Sequence, residues 1–372
     1  MIKIGITGQE GFVGQHLYNT IGLSLDEYER VEYKREFFES PDLLIDFVSK
    51  CDVIVHLAAM NRHNDPQVIY DVNIKLVKNL IEALESANSN AHVLFSSSLQ
   101  EERDNLYGKS KKDGRELLAQ WARKSGGQFT GLVIPNVFGP FGQPNYNSFI
   151  ATFSHQLANN ETPEIEVDGE VKLIYVSDLV KAIILEFRNK PGKDFFTIPH
   201  TDQRKVSEIL SLLESYKTQY MDSGIIPVLK DLFEINLFNT FRCYMNIKEH
   251  YPVKFIKHTD PRGAFVEVIR LNVGGQVSFS TTVPGITRGN HFHTRKIERF
   301  AVIKGEALIQ LRKIGTNEVL DFYLNGDEPA YVDMPIWYTH NIKNIGGEEL
   351  YTNFWINEFF DPADPDTFME IV

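Results

Sequence analysis

The sequence predicts an α/β domain with a doubly wound parallel sheet, followed by an all-β domain. Short β-branched runs alternate with amphipathic stretches up to about residue 190, which is the rhythm of a parallel α/β sheet. After Pro252, closely spaced strands separated by Gly and Asn turns replace that rhythm. The length of 372 residues also exceeds what one hydrophobic core usually organises. We expect one domain over residues 1–245 and a second over residues 246–372.

In the first domain, buried parallel strands are expected to alternate with crossover helices. The predicted strands are Ile2–Ile6, Val53–Leu57, His92–Phe95 and Thr130–Pro135. Between them, Asp71–Ala87 and Lys109–Ala122 place their apolar residues on one helical face, which predicts amphipathic helices. A segment from about residue 203 to 240 is also predicted to be helical and to close this domain.

The second domain is predicted to contain antiparallel strands with no convincing helix between them. These strands are Ala264–Leu271, Gln276–Thr282, Arg299–Ile303, Ala307–Lys313, Val319–Leu324, Ala330–Asp333 and Leu350–Glu358. Many short strands joined by tight turns favour an antiparallel barrel or a sandwich.

Composition and charge argue against several classes of partner. The formal net charge of −12 disfavours nucleic acid and anionic membranes, because the mean field of the protein repels polyphosphate. No apolar run approaches the roughly 20 residues that cross a bilayer. Cys51 and Cys243 fit no disulfide or metal spacing, and Met1–Gly8 resembles a strand rather than an export signal. We therefore expect a cytoplasmic protein, whose anionic substrate would be bound by local basic residues and backbone N–H groups.

Three glycines follow the first predicted strand and open a helix. Gly8, Gly11 and Gly14 have the spacing of a Rossmann-type dinucleotide site, with Phe12 and Val13 in the same turn. Such glycines permit the tight turn, the close approach of backbone to pyrophosphate and the contact between helix and strand, and the phosphate lies at the positive end of the helix. Taken alone, the same spacing also fits an ordinary glycine-rich turn.

Further motifs recur in a fixed order along the first domain. They are His56–Ala59, Asn73, Phe95–Ser98, Tyr107–Lys111, Pro135–Pro140 and Tyr175–Leu179. Together with the glycines, this set resembles the extended short-chain dehydrogenases/reductases that act on nucleotide sugars, over most of residues 1–190. The resemblance implies that Leu57, Ala58 and Ala59 lie on the adenine side of a nicotinamide cofactor and that Asn136 contacts substrate.

Tyr107 and Lys111 lie four residues apart, so one helical turn places them on the same face. We expect the Lys111 ammonium to lower the pKa of the Tyr107 phenol and to hydrogen-bond the nicotinamide ribose. Tyr107 then delivers a proton to a carbonyl oxygen that receives hydride. Ser98 is expected to orient that oxygen, with Ser97 as the alternative, although Ser98 precedes Tyr107 by only nine residues, a shorter gap than the family usually has. On its own, a Tyr and Lys pair at this spacing also fits a solvated helix face.

The choice between NADPH and NADH depends on the end of the second strand, where a cation binds a 2′-phosphate and an acidic residue binds the free ribose. The predicted strand Arg30–Tyr33 is followed by Lys34 and Arg35, which favours NADPH. Glu32 is the residue that would favour NADH instead. Lys34 and Arg35 alternatively belong to a solvated loop.

The second domain contains a pattern of potential metal ligands. Gly285, His291, His293, Glu298 and Gly305 have the spacing of the first cupin motif. Strand alternation puts the two histidines on the same inward face, and two imidazoles with a carboxylate bind a divalent transition ion. The predicted fold of this domain is therefore a cupin barrel. Surface histidines without a metal are the alternative interpretation.

A second motif supplies the fourth ligand. Pro335–His340, followed by Asn344, resembles the second cupin motif and adds His340 to the set. The family usually has glycine where Trp337 stands, and this side chain is expected to narrow the mouth of the barrel. Zinc is the first choice of metal because it accepts mixed nitrogen and oxygen ligands, while iron, manganese and nickel stay open.

Several residues near these motifs are candidates for substrate binding and proton transfer. His258–Gly263 is similar to the Asp-x-Arg-Gly segment of the cupin epimerases that act on deoxysugar nucleotides, which makes Arg262 a substrate candidate. The same segment also fits a turn before a strand. Lys296, Tyr338 and His258 are the candidate acid/base residues, and the first two are expected to contact substrate.

The order of domains and motifs resembles the bifunctional capsular polysaccharide synthesis enzymes of the CapF type over nearly the whole chain. The resemblance implies a UDP-2-acetamido-2,6-dideoxy-4-hexulose as substrate, which the cupin domain epimerises at C3. The reductase domain then reduces the C4 ketone with NADPH to UDP-2-acetamido-2,6-dideoxy-L-talose, and we expect a homodimer. One alternative is a reductase whose cupin domain is a sugar-binding or dimerisation module with a structural metal. Another is a nucleotide-sensing protein without catalysis.

Overall fold

The chain divides into two compact units. The computed structural model describes residues 1–189, 192–261 and 263–372. The first unit is Met1–Thr152 with Val167–Val206, and the second is Phe153–Glu166 with Ser207–Val372. The helical residues after Ser207 thus group with the strand-rich unit, and the domain boundary between residues 245 and 246 stays a prediction.

The helices account for most of the crossover segments. They are α1 (Phe12–Ile21), α2 (Pro41–Ser49), α3 (Pro66–Ser86), α4 (Leu106–Ser125), α5 (Phe149–Ala158), α6 (Val176–Asn189), α7 (Val206–Tyr216), α8 (Leu232–Arg242) and α9 (Ile247–His250). Short 3₁₀ turns occupy Arg35–Glu39 and Leu99–Glu102, and a π-helical turn occupies Lys217–Met221. Within the part of the chain that the structure describes, no helix has the length and apolar character that spanning a membrane requires.

The helices predicted at Asp71–Ala87 and Lys109–Ala122 are confirmed as α3 and α4, and both begin earlier than predicted. Asp65 caps α3 by accepting a backbone N–H two residues on at 2.9 Å, and Asn105 caps α4 by accepting an N–H three residues on at 2.7 Å. Helix α4 ends at Gly126, whose φ of 76° is left-handed. The caps, rather than the apolar periodicity, therefore set where these helices begin and end.

The first unit contains the predicted parallel sheet. Its strands are β1 (Ile2–Thr7), β2 (Tyr28–Val31), β3 (Val53–His56), β4 (His92–Ser98), β5 (Phe129–Ile134), β6 (Asn136–Phe138), β7 (Glu170–Tyr175), β8 (Lys193–Thr197) and β9 (Asp202–Lys205). Six of them pair in parallel in the order β2-β1-β3-β4-β5-β8, and β6, β7 and β9 form a smaller sheet. Apolar residues of α2, α3 and α4 pack on one face of the large sheet, and those of α1 and α6 on the other. The strand order reverses beside β1, where such Rossmann-like sheets bind ligands.

The second strand differs from its predicted position. It is β2 at Tyr28–Val31, not Arg30–Tyr33. Its pairing with β1 ends where Gly5 lies opposite Val31, so the following residues leave the sheet. Lys34 and Arg35 consequently belong to the loop and to the 3₁₀ turn that begins at Arg35.

The second unit is built from two antiparallel sheets. Its strands are β10 (Val253–Lys254), β11 (Lys257–Asp260), β12 (Gly263–Val266), β13 (Gln276–Thr282), β14 (Thr287–Phe292), β15 (Glu298–Lys304), β16 (Glu306–Lys313), β17 (Val319–Asn325), β18 (Ala330–Met334), β19 (Tyr338–Asn344), β20 (Leu350–Ile356) and β21 (Phe368–Met369). One sheet has the order β10-β18-β15-β20-β13 and the other β17-β16-β19-β14-β21, while β11 pairs with β12. Phe300 and Val302 of one sheet share an apolar core with Ile309 and Ile342 of the other.

These strands form a sandwich among the described residues, and the closed barrel expected from the sequence is not seen there. Pairing ends at β10 and β13 in one sheet and at β17 and β21 in the other, so each sheet keeps two open edges. Antiparallel sheets with one buried face are stable in this form, because the other face can meet solvent or helices.

A buried polar cluster fastens the helical residues of the second unit to the outer face of one sheet. Arg299 pairs with Asp333 at 2.7 Å, and their side chains are 2% and 0% exposed. Tyr220 donates to the Asp333 carboxylate at 2.6 Å, and Arg242 donates to the Tyr220 hydroxyl at 3.2 Å. Buried charges persist only when they are paired and hydrogen-bonded, so the cluster fixes these helices against β15 and β18. Strand alternation then turns Glu298 toward the space between the sheets.

Candidate functional site

A cavity of about 960 Å³ lies in the first unit, at the carboxyl ends of the central parallel strands. Gly8 follows β1, Leu57 follows β3 and Ser98 ends β4, and all three line the cavity. The predicted cofactor residues that line it are Gly8, Gly11, Phe12, Val13, Gly14, Arg35, Leu57, Ala58, Ala59 and Lys111. The cavity therefore has the position of the ligand site in doubly wound sheets.

The glycine turn of this cavity has no room for side chains. Gly8 has a φ of 74°, and a Cβ there would lie 2.8 Å from the backbone nitrogen of Ala58. A Cβ at Gly14 would lie 2.2 Å from the carbonyl oxygen of Gly8. Because these contacts are to backbone atoms, no side-chain rotation relieves them. Helix α1 can thus begin at Phe12 on the cavity wall, where its N–H groups attract phosphate.

The two cations predicted to select NADPH have different positions. Arg35 lines the cavity. Lys34 is not among the lining residues, and its ammonium lies 3.0 Å from the Glu32 carboxylate, with both side chains exposed. The carbonyl of Tyr33 accepts a hydrogen bond from the Gln9 side chain at 3.1 Å, which holds this loop against the glycine turn. Of the two, only Arg35 is placed to meet a ligand in the cavity.

His56 and Asn73, two residues of the sequence motifs in the first domain, form buried hydrogen bonds that join neighbouring elements. Thr7 Oγ1 and His56 Nδ1 lie 2.6 Å apart, which joins the ends of β1 and β3. Burial, with a contribution from the Lys111 charge, lowers the pKa of His56 to about 3, so this ring is neutral. Asn73 donates to Ser110 Oγ at 3.0 Å and thereby joins α3 to α4.

Tyr107 and Lys111 both line the cavity, as the sequence predicts. Lys111 Nζ lies 5.8 Å from the centre of the Tyr107 ring and donates to the Ser96 carbonyl at 3.0 Å. Burial raises the pKa of Tyr107 to about 12, with a contribution from Tyr146, and burial lowers the pKa of Lys111 to about 8. The expected lowering of the phenol pKa is therefore wrong for the chain itself, because desolvation of the buried phenol raises this pKa.

The serines of the Phe95–Ser98 run differ in what their hydroxyl groups bind. Ser97 is buried and donates its proton to the Glu101 carboxylate, which pairs with Arg115 at 2.9 Å. Ser98 Oγ accepts the Gln100 N–H at 3.2 Å and caps the 3₁₀ turn. The Ser98 oxygen is thus used as an acceptor, which leaves its proton to be donated, whereas the Ser97 proton already has an acceptor.

The short gap between this run and Tyr107 is made possible by a close backbone contact. The 3₁₀ turn passes directly over the first turn of α4, and a Cβ at Gly108 would lie only 1.9 Å from the Gln100 carbonyl oxygen. Gly108 therefore allows α4 to start with Tyr107 against the cavity. The sequence shows a glycine beside Tyr107, but the reason for a glycine at this position is the contact with Gln100, which the sequence does not show.

The cavity is also lined by residues that the sequence did not indicate. Tyr146, Asn61 and Arg62 line the cavity, and the Asn61 N–H donates to the Tyr146 hydroxyl at 3.3 Å. Arg62 donates to the Asn145 carbonyl at 2.7 Å. These residues lie in loops without periodicity, so no pattern marks them. Asn136, predicted to contact substrate, also lines the cavity.

In the second unit, the four predicted metal ligands come together between the sheets. His291 lies on β14, Glu298 on β15 and His340 on β19, while His293 follows β14. One candidate ligand atom from each side chain lies within 4.8 Å of all the others. Three imidazole nitrogens and one carboxylate oxygen are a donor set that divalent transition metals accept, so these residues fit a metal ion.

The pKa shifts of His291 and Glu298 favour their metal-binding forms. Burial lowers the pKa of His291 to about 4, with contributions from His340 and His293, so this ring keeps its lone pair. Burial alone would raise the pKa of Glu298, but hydrogen bonds and charge from His293 and His340 hold it well below its usual range. The carboxylate oxygen lies 3.0 Å from His293 Nε2 and 3.2 Å from His340 Nε2. Burial alone would lower the pKa of His293, but hydrogen bonds and charge from Glu298 and Asp366 raise it.

Trp337 has a different role from the one expected at the barrel mouth. Its φ of 61° lies in the left-handed region that favours glycine, which explains why the family usually has glycine there. Its side chain is 4% exposed and stacks on Phe292 with ring centres 5.5 Å apart. The indole is therefore packed into the sandwich rather than across an opening.

The other residues that the sequence proposes for substrate binding or proton transfer in this unit have different environments. The Lys296 ammonium is buried, donates to the Pro365 carbonyl at 2.6 Å and lies 3.7 Å from Glu358. Burial raises the pKa of Tyr338 above its ordinary value, and His258 lies exposed on β11. Arg262 lies outside the described residues.

Two sequence families match the two parts of the chain. Residues 4–197 match the NAD dependent epimerase/dehydratase family, and residues 258–368 match the Polysaccharide biosynthesis C-terminal domain. The first match covers more than half of the 372 residues. The chain therefore belongs to the NAD dependent epimerase/dehydratase family, a class of nucleotide-dependent enzymes, and it also carries that C-terminal domain.

Full-length relatives narrow this class. The chain is 32% identical to the UDP-2-acetamido-2,6-beta-L-arabino-hexul-4-ose reductase of Pseudomonas aeruginosa, over 99% of this chain and 98% of the relative. The capsular polysaccharide assembling protein CapF of Staphylococcus aureus is 35% identical with a TM-score of 0.63, and both chains are covered completely. A structure of CapF with the inhibitor 3-isopropenyl-tropolone is 32% identical with a TM-score of 0.59 and the same coverage. The resemblance to CapF-type enzymes predicted from the motifs is confirmed.

Proposed function

We propose that this protein is a bifunctional nucleotide-sugar enzyme of capsular polysaccharide synthesis. The C-terminal domain epimerises a UDP-2-acetamido-2,6-dideoxy-4-hexulose at C3, and the first domain reduces its C4 ketone with NADPH to UDP-2-acetamido-2,6-dideoxy-L-talose. The observation that carries the proposal is the pair of chemically different candidate sites on one chain, a cavity with Tyr107 and Lys111 and a cluster of four metal-binding side chains. The full-length similarity to a hexulose reductase supports the substrate class.

Tyr107, Ser98 and Lys111 are the proposed catalytic residues of the reduction. Bound NADPH supplies the hydride that converts the C4 carbonyl into an alcohol. Tyr107 holds the proton that the C4 oxygen takes up, and its pKa of about 12 keeps the phenol protonated until then. Ser98 presents its hydroxyl proton to the same oxygen, since its Oγ already accepts an N–H. Lys111, with a pKa of about 8, is cationic at neutral pH and binds the ribose hydroxyl groups.

The preference for NADPH is proposed on the position of Arg35 in the cavity lining. A guanidinium there would meet the 2′-phosphate, with Lys34 as a weaker contributor because Glu32 already pairs with it. Arg62 and Lys75 also line the cavity and give a net acidic protein the local positive charge that a UDP-sugar requires. Asn136, which also lines the cavity, is the proposed substrate contact.

One divalent ion is proposed at His291, His293, Glu298 and His340, with zinc as the first choice. The bound ion supplies positive charge that polarises a substrate oxygen and acidifies the adjacent C–H. The C3 proton is acidic only while the C4 ketone exists, so epimerisation precedes reduction. The inhibitor seen with CapF is a tropolone, whose adjacent carbonyl and hydroxyl oxygens suit chelation of such an ion. The cupin assignment rests on this convergence of ligands, and a homodimer is proposed on resemblance alone.

A second candidate keeps the reductase and makes the metal structural. His293, Glu298 and His340 are buried, at 3%, 7% and 0% exposure, which is typical of an ion that joins two sheets. In that case the C-terminal domain is a sugar-binding or dimerisation module. A nucleotide sensor without catalysis is disfavoured, because a sensor needs no proton donor at Tyr107.

The proposed function is tested by metal analysis combined with deuterium incorporation from D₂O into the 4-ketosugar. A stoichiometric ion and deuterium at C3 without NADPH support epimerisation, and NADPH consumption on the exchanged ketosugar supports reduction. A bound ion without deuterium incorporation would favour the structural metal. Absence of NADPH oxidation with the ketosugar would exclude the reductase.

A further inference from the structure

The C-terminal segment returns to the candidate metal cluster through one buried acidic residue, Asp366. This side chain is 4% exposed, whereas Asp364, two residues earlier, is 69% exposed. The backbone and the carboxylate of Asp366 both contact the segment that joins His293 to Glu298. A carboxylate is stable in such a buried position only when it accepts several hydrogen bonds.

The backbone carbonyl of Asp366 orients one of the ligands. His293 Nδ1 lies 2.5 Å from the Asp366 carbonyl oxygen. A carbonyl can only accept, so Nδ1 must donate its proton. With a metal ion bound, the neutral ring then has its lone pair on Nε2, whereas without the ion Nε2 donates to the Glu298 carboxylate. Nε2 is the nitrogen that lies 3.0 Å from Glu298 Oε2 inside the cluster. The contact therefore selects the tautomer that binds a metal.

The carboxylate of Asp366 holds the turn between the two ligands. Oδ1 accepts from the Thr294 N–H at 3.1 Å and from the Thr294 hydroxyl at 2.6 Å. Oδ2 accepts from the N–H groups of Arg295 at 3.0 Å and Lys296 at 3.1 Å. Four donors on one ionised group are strong, charge-assisted hydrogen bonds. They fix residues 294–296, which set the spacing between His293 and Glu298.

The backbone conformation of Asp366 serves the same purpose. Its φ of 40° lies in the left-handed region, which Asp, Asn and Gly adopt more readily than other residues. The turn aims the carbonyl at His293 while the side chain faces the 294–296 segment. Asn and Gly are therefore the substitutions that retain the backbone geometry while changing the carboxylate.

We propose that Asp366 is the positioning residue of the metal centre, holding His293 in its metal-binding tautomer and fixing the turn that places His293 and Glu298 together. The inference rests on the proposed metal site. Outer contacts of this kind typically change metal affinity by about 10- to 100-fold. Asp366 lies 73 residues from His293 in the chain, so the final residues complete a site whose ligands all lie far earlier.

The test compares Asp366→Asn with Asp364→Asn in the full-length protein. In Asp366→Asn an amide NH₂ replaces one acceptor and faces N–H donors, whereas the Asp364 carboxylate binds the exposed Arg295 guanidinium. Zn²⁺ affinity of the folded, metal-free proteins is measured by competition with a chelator, and bound Co²⁺ reports ligand geometry through its visible spectrum. We expect Asp366→Asn to weaken Zn²⁺ binding by about 10- to 100-fold and to alter the Co²⁺ spectrum, and Asp364→Asn to leave both unchanged.

A purely structural role for Asp366 gives a different pattern. In that case the metal-free Asp366→Asn protein unfolds more easily, but its folded form binds Zn²⁺ with wild-type affinity and the same Co²⁺ spectrum, and the proposal is overturned. Should Asp366→Asn not fold, Thr294→Ala removes one of the four donors, and unchanged Zn²⁺ affinity in that variant counts against the proposal. A wild-type protein that binds neither ion overturns the metal site and this role together. A wild-type protein that binds zinc but does not exchange the C3 proton leaves the role of Asp366 standing.

Discussion

The dinucleotide cavity of the first unit lies where loops leave the carboxyl ends of parallel strands, whereas the candidate metal ligands of the second unit project from strands into the space between two sheets. The cavity depends mainly on backbone, since Gly8 and Gly14 have no room for a Cβ. The cluster depends on side chains, three of which are buried. We therefore expect a side-chain change on the cavity wall to alter specificity, and a change to any of the four candidate ligands to remove one bond to the proposed metal ion.

The two sites also differ in how far along the chain their parts lie. The glycine turn is complete within residues 8–14, and its tight contacts involve the turn itself and the end of β3. The candidate metal cluster joins residues from 291 to 340, and Asp366 contacts His293 from outside that range. A site formed by neighbouring residues can be predicted from its sequence motif. A site formed by residues far apart in the sequence also depends on residues, such as Asp366, that its motifs do not include.

Gly14→Ala should have the largest effect on the cavity. The added Cβ would meet the Gly8 carbonyl oxygen at 2.2 Å and open the turn, so we expect dinucleotide affinity to fall by about 100-fold, or about 3 kcal/mol. Isothermal titration measures the change. Gly169→Ala is the matched control, because a Cβ there meets nothing within 4 Å. Normal dinucleotide binding by Gly14→Ala would mean that the turn is not the binding element.

His340→Ala should break the second site and spare the first. The loss of one of four ligands is expected to reduce bound metal well below one ion per chain and to lower the melting temperature, because metal binding adds to folding free energy. Elemental analysis and thermal melts measure both quantities. His258→Ala, an exposed histidine of the same unit, should retain full metal content. Full occupancy with an unchanged melting temperature in His340→Ala would place the ion elsewhere.

A smaller effect is expected from Arg35→Ala, which tests whether this residue of the cavity wall selects NADPH over NADH. Loss of a charge-assisted hydrogen bond to the 2′-phosphate should weaken NADPH binding by about tenfold and leave NADH nearly unchanged. Lys34→Ala should have a much smaller effect, since Glu32 already pairs with Lys34. Binding isotherms measure the affinities of both variants for NADPH and NADH. Equal losses for NADPH and NADH, or a wild-type preference for NADH, would contradict the assignment.

The parts of the fold that follow local rules could be predicted from the sequence. Strand and helix periodicity identified the parallel sheet and α3 and α4, and motif spacing brought His291 and His340 to one cluster. The second strand was misplaced by two residues because its end is set by pairing with β1, which periodicity does not contain. The closed barrel expected from the sequence is not seen among the residues that the structure describes, and the number and type of strands do not determine whether the sheet edges join.

The electrostatics and the supporting residues of the sites could not be predicted in the same way. The pKa of Tyr107 depends on how deeply the phenol is buried, and the sequence shows only the neighbouring lysine. Trp337 was interpreted by its size, although its left-handed backbone and its packing on Phe292 decide where it lies. Tyr146 and Asp366 reach their partners through loops, which leave no periodic signal.

The central claim is that the two chemical steps occur at separate sites, and Tyr107→Phe tests it most directly. The substitution keeps the ring and removes the hydroxyl proton, so NADPH oxidation should fall by roughly 100-fold or more, on the scale of a lost general acid. Deuterium exchange at C3 should continue at the wild-type rate, because that step needs no hydride and no phenol. In the reciprocal variant, His293→Ala, exchange should fail while NADPH still binds and an already epimerised ketosugar is still reduced. If Tyr107→Phe abolishes deuterium exchange while its fold and metal content stay normal, both steps share the reductase cavity and the two-site account is wrong.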